Sequence, residues 1–367
     1  MIYLFLSGIG MYQACRSYKF TKTVSYISGF AYMCSGYMVG HLQHFNWISG
    51  AAFLPWCFWG YNQLINNYSL KNNIVCSLLF YLLLSSSHPG IIIGAIYLFP
   101  AHVIYLYFNK KKEDPQNFSR KSFLRKNAWM VALLLILCLG MIMGYADIVP
   151  HITRGKKIAD LSNIVNPFNL QSLLSLVVPF STVKGDAFFR TDISMRNMYF
   201  GLTLMLFLIF ALRKKQTSIQ KFFLYSGLFF LFLSLGGITK YITSPLLPLI
   251  GYVRLPGEFM IFAICCLIFF SAFHLNDFII NKLSPDETEY KIIDLLKIVF
   301  IALLVIGVIG MLFKQSLIFS LLDLLSQPGL IPKLKFLIDH ISFFDTLALQ
   351  SLLQLGFLNA IRSHVRR

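Results

Sequence analysis

Residues 128–143 read AWMVALLLILCLGMIM, sixteen consecutive positions without a charge. A strand of a transmembrane barrel would alternate apolar and polar residues over about ten positions. An unbroken apolar run of this length instead calls for a helix in contact with lipid or buried on all sides. The surrounding 367 residues have the same character: 57% are hydrophobic, 13% are charged, and the mean hydropathy is +0.67. Average soluble domains carry roughly a quarter charged residues. A disordered chain is excluded by the same numbers. The expected fold is therefore all-α, a polytopic transmembrane helical bundle forming a single integral membrane domain over 1–367.

Apolar segments fall near 1–15, 24–40, 46–65, 73–87, 90–108, 128–147, 197–212, 222–237, 257–274, 292–313 and 343–361, which predicts about eleven helices. Segment 46–65 is interrupted by Gly50 and Pro55, so a re-entrant course is its alternative. The net charge of +17 sits in short clusters between these segments and not in a stripe, so a nucleic-acid partner is not expected. Arg16, Lys19 and Lys22 follow the first segment. Lys110–Lys112 with Arg120, Lys121, Arg125 and Lys126 follow the fifth, Arg213–Lys215 with Lys221 follow the seventh, and Arg362, Arg366 and Arg367 close the chain. Eleven crossings put all four clusters on one side, the cytoplasmic one by the positive-inside rule. The first segment carries its charge after its apolar stretch, unlike a signal peptide, and is short for a full crossing.

Two long loops, 148–196 and 238–256, then face outward, with a third stretch at 314–342. The first carries six basic residues (Arg154, Lys156, Lys157, Lys184, Arg190, Arg196) and three acidic ones (Asp160, Asp186, Asp192). This balance reads either as a solvated loop or as an anion site in which Arg154 and Arg190 contact phosphate. Inside it, Leu170 to Phe180 (LQSLLSLVVPF) predicts an interfacial helix ended by Pro179. The second loop closes in YVRLPGEF, residues 252–259. There Glu258 suits the first turn of a helix, and Arg254 suits a phosphate clamp at its mouth. His41, His44 and His88 lie at predicted outer helix ends, where imidazoles serve as acids or bases or simply as interfacial side chains. Trp47, Trp56 and Trp59 read as interfacial packing. The seven cysteines all fall in or beside apolar segments and read as small buried hydrophobes; neither a metal nor a cofactor is expected.

Several ordered pieces resemble the YfhO-like bacterial membrane proteins of the GT-C superfamily of lipid-sugar glycosyltransferases. These are YISGFAYMCSGYMVGHLQHFNWISGAAFLPW (26–56), SSSHPG (85–90), PHITRGKKIADLSN (150–163), NPFNLQSLLSLVVPF (166–180) and GGITKYITSPLLPLIGYVRLPGEFMIFA (236–263). The resemblance implies a multi-pass protein of the bacterial cytoplasmic (inner) membrane. Its partners would be the bilayer, a polyprenyl-phosphate-linked sugar, and a cell-envelope acceptor to which the sugar is transferred. An inverting transfer needs a carboxylate base and cations against the leaving phosphate. Asp147, at the outer end of an apolar helix, is the expected base, with Arg254, Arg154, Glu258, His41, His44 and Arg190 as substrate contacts. The family's first helix and the acidic loop after it have no counterpart here, so the chain is expected to be a fragment of a longer architecture, inactive by itself in one reading. The alternatives from other classes are a transporter or flippase of an amphiphilic lipid-linked substrate and a non-catalytic assembly subunit.

Overall fold

In a computed structural model of the chain, residues 1–151, 166–283, 285–313 and 326–365 are described. Among them every regular element is helical and no strand occurs. The helices are α1 (Ile2–Ser17), α2 (Lys22–Met33), α3 (Gly36–Gly40), α4 (Phe45–Asn66), α5 (Leu70–Ser86), α6 (Pro89–Glu113), α7 (Arg120–Ile148), α8 (Asp186–Phe189), α9 (Leu202–Arg213), α10 (Ser218–Ser234), α11 (Ile238–Leu246), α12 (Met260–Ile280), α13 (Glu287–Phe313), α14 (Leu330–His340) and α15 (Phe343–Val365).

Each of the eleven apolar segments contains a helix, but not every helix is a span by length and composition. Four pass that test: α6, α7, α12 with the turn before it (Pro256–Ile280), and α13. Counting the bent pairs α10–α11 and α14–α15 as one span each raises the number to six. The segment interrupted by Gly50 and Pro55 is one continuous helix, α4, and not a re-entrant loop. Segment 24–40 breaks instead, because Ser35 is extended between α2 and α3. Segment 197–212 loses its first turn: Gly201, at φ +95, starts α9 late, and Tyr199 accepts a hydrogen bond from Gly36 N–H at 2.8 Å.

Burial sorts the helices by neighbour. α12 is apolar on all sides and almost wholly enclosed, packed by α2, α9 and α10. By contrast, α7 and α13 present Leu135, Ile136, Leu139, Ile298, Ile301 and Val305 outward. An exposed apolar surface of that extent belongs against lipid.

Contacts between helix ends show how the chain alternates. At one end Lys110 Nζ reaches Asn66 Oδ1 (2.9 Å), Asn276 accepts from Thr21 N–H (2.8 Å), and Lys214 pairs with Asp286 (2.7 Å). Arg362 pairs with Asp294 there too. Those hydrogen bonds hold Lys214 above its ordinary value and Asp286 below the usual carboxylate range. At the other end Ser49 Oγ donates to Ser86 O (2.8 Å) and Phe168 N–H to Ser234 O (2.9 Å). The charge clusters thus gather at one end of the bundle, hereafter the inner end. Reporter fusions after Lys111 and Lys214 are expected to be active on the same side of the membrane, and a fusion after Lys184 on the opposite one. Lys111 and Lys214 on opposite sides would overturn this arrangement.

The outer loop departs from expectation. Leu170–Leu176 is a 3-10 turn, and Pro179 opens a second one, Pro179–Val183, instead of ending an α-helix. Proline's fixed φ and missing N–H suit the first position of such a turn. Ser172, Ser175, Ser181 and Thr182 are buried, and Pro179–Val183 packs against α15. The segment is a cap of two 3-10 turns and not one amphipathic α-helix.

Candidate functional site at the outer end

Two helices that start with Pro-Gly meet at the outer end. α6 opens His88-Pro89-Gly90 and the turn before α12 opens Pro256-Gly257-Glu258, each proline occupying a position where no N–H is needed. The two starts lie side by side, so Nδ1 of His88 is 2.7 Å from the Glu258 carboxylate. Gly90 makes this possible, since a Cβ there would collide with that carboxylate. Glu258 therefore serves the first turn of α6 and not only its own helix, as a buried acceptor at a helix N-terminus. It is 1% exposed, whereas His88 keeps about a quarter of its side chain open.

Aromatic residues extend the site. Trp47 sits edge-on to His88 (centroids 5.2 Å) and touches His41 (4.7 Å) and His44 (4.5 Å). His41 stacks on Tyr37 at 3.9 Å and donates Nδ1–H to the Tyr37 carbonyl at 2.8 Å. Buried Tyr37 Oη and His41 Nε2 lack partners. Two orphaned polar atoms on stacked neighbouring side chains are uncommon in a folded interior and mark a place where a polar ligand fits.

The cap supplies a cation. Ser194 packs on Gly40 and Met195 on Gly257, which seats the turn before Arg196 against α3 and the start of α12. Arg196 is fully buried, with Phe189 5.1 Å below its guanidinium and Nη2 2.7 Å from the exposed carboxylate of Asp186. Its Nε and Nη1 have no acceptor. A guanidinium buried with free N–H groups is an anion-binding group in waiting.

Burial pushes the His41 imidazole down to about 3, against the opposing pull of its hydrogen bond to the Tyr37 carbonyl; His44 and His88 add to the lowering and Asp192 opposes it. Burial works to raise Asp192, but hydrogen bonds from the Ser194 hydroxyl and N–H, with His44 and His41 nearby, hold it below the usual carboxylate range. Between pH 6.5 and 3 the unfolded chain binds a proton at residue 41 that the folded chain does not. The stability from neutral His41 is thus complete above about pH 6.5 and declines as pH falls toward 3. Melting curves from pH 7 to 4 are expected to fall more steeply for the natural protein than for His41→Phe; equal slopes would remove this assignment.

The sequence-derived candidates divide. Glu258, His41 and half-buried His44 come together in this cluster. Asp147 does not: it is exposed at the end of α7 and, among the described residues, makes no hydrogen bond or ion pair with any of them. Arg254 is likewise exposed and unpaired among the described residues, and exposed Arg190 ends α8 in a left-handed conformation. Arg154 lies outside the described residues. Arg196 is one charge among the nine of its loop, and the His88–Glu258 pair spans 170 positions. The available signal was the repeated Pro-Gly helix start, with histidine just before one and glutamate just after the other. Among the described residues no cluster has the make-up of a metal site.

No protein-family model, curated protein or solved structure matches the chain.

Proposed function

We propose that this protein is a bacterial inner-membrane bundle of about eleven spans, akin to the YfhO-like GT-C proteins, that transfers a sugar from a polyprenyl-phosphate carrier to a cell-envelope acceptor at its outer end. The observation that carries this reading is the buried His88–Glu258 pair at the outer end, with the under-satisfied guanidinium of Arg196 following Met195, which packs on Gly257. Glu258 accepts the Nδ1 proton and fixes the tautomer, which leaves His88 Nε2 as a base. As the acceptor oxygen bonds to the anomeric carbon, its proton passes to Nε2. The bond from that carbon to the phosphate oxygen breaks, and polyprenyl phosphate leaves with the electron pair, held by Arg196 Nε and Nη1. His88 takes the role expected of Asp147, and Arg196 the role expected of Arg254, Arg154 and Arg190.

The test is incubation of purified protein with a radiolabelled pool of polyprenyl-phosphate sugars extracted from bacterial membranes. Label should leave the carrier in a His88-dependent way; label that stays on the carrier, or leaves equally with His88→Ala, overturns the reading. A second reading, translocation of an amphiphile, draws on buried His102, midway along α6 and hydrogen-bonded to Tyr18 Oη at 3.1 Å. Vesicle flux without bond cleavage would favour it.

A further inference from the structure

At the inner end, far along α6 from His88, a cavity of about 470 Å³ opens between α1, α4, α6 and α10. Its walls include Tyr18, Asn62, Asn66, Tyr105, Asn109 and Thr217. Asn62 is anchored by Ser17 Oγ at 3.0 Å and Asn66 by Lys110 Nζ at 2.9 Å, whereas the Asn109 amide makes no hydrogen bond among the described residues. The charges on the walls are one ammonium, Lys110, and one carboxylate, Glu113, so the cavity has no net charge. Tyr105 lies nearly parallel to Phe222, with centroids 5.0 Å apart, and Tyr18 forms the floor above buried His102.

Each amide offers a donor pair and an acceptor, which matches neighbouring hydroxyls, and ring surfaces suit the C–H faces between them. An anion would find one ammonium, already engaged by Asn66, and the carboxylate of Glu113 on the same wall. We propose that this inner-end cavity binds a neutral, polyhydroxylated sugar headgroup. The inference does not rest on the outer-end reaction, and the ligand source is a lipid-borne or a soluble sugar.

The experiment uses full-length protein in nanodiscs, with empty nanodiscs as reference, and reads saturation transfer to sugar-ring protons. The probes are octyl β-glucoside below its micellar concentration, free glucose, and octyl phosphate. Octyl glucoside is expected to bind and octyl phosphate not. Glucose binding as well as octyl glucoside assigns a soluble source, and weaker glucose binding assigns a lipid-borne one. Asn109→Phe, which fills the cavity, and Asn66→Ala are each expected to weaken binding roughly tenfold, the loss of one or two hydrogen bonds. His88→Ala should leave binding unchanged, which separates this site from the outer one. Unchanged binding in both asparagine variants, or octyl phosphate binding at least as well as octyl glucoside, overturns the proposal.

Discussion

Replacing His88 with alanine is expected to lower sugar transfer by roughly 10²- to 10⁴-fold, the usual contribution of a positioned base. The melting temperature should fall as well, because the buried Glu258 carboxylate loses its partner, so transfer is read per folded molecule. Glu258→Leu should fall in the same range, since the imidazole then loses the acceptor that fixes its tautomer. The double variant should be little worse than either single one, because the two groups act as a unit. Activities that multiply in the double variant would show that His88 and Glu258 act separately and would remove the dyad from the mechanism.

Arg196→Met is expected to separate function from stability. The guanidinium is fully buried with two nitrogens lacking acceptors, and its ion-pair partner Asp186 is mostly in solvent. Replacing an under-satisfied buried charge by an apolar chain of similar length is often neutral or stabilising. The variant should thus melt at or above the natural temperature while transfer falls on the order of 10²-fold, the loss of one donor to a developing anion. Had Arg196 a purely structural task, the order would reverse: melting would drop and the rate per folded molecule would hold. Measuring both on one preparation decides between the two. Asp186→Asn should leave transfer in place, since that carboxylate competes with a phosphate for the same guanidinium.

The legible part of this protein is the part governed by solvent. Sixteen uncharged positions at 128–143 identify lipid-compatible helix, and the lysine and arginine clusters mark one end of the bundle, because both follow from the cost of taking charge and backbone out of water. Helix starts were legible as well where chemistry is local. The Pro256 helix entry is such a case, whereas the reciprocal Thr217–Gln220 cap of α10 came from the structure.

The site was only half legible. Glu258 and His41 could be picked out as ionisable residues at helix ends, but their partners could not. Nothing in residues 85–90 indicates that His88 meets Glu258, because that contact depends on how α6 and α12 pack, on the space left by Gly90, and on the order of helices around α12. Asp147 and Arg254 had equally good local credentials, yet packing leaves both exposed. Arg196 looks like any loop arginine until residues 194–197 fold down on Gly40 and Gly257. The sequence by itself thus determined the solvent of this protein, its helical class and the end that carries its charge. The tertiary structure alone decided which polar groups lost water without gaining partners, since desolvation is set by neighbours distant in the chain.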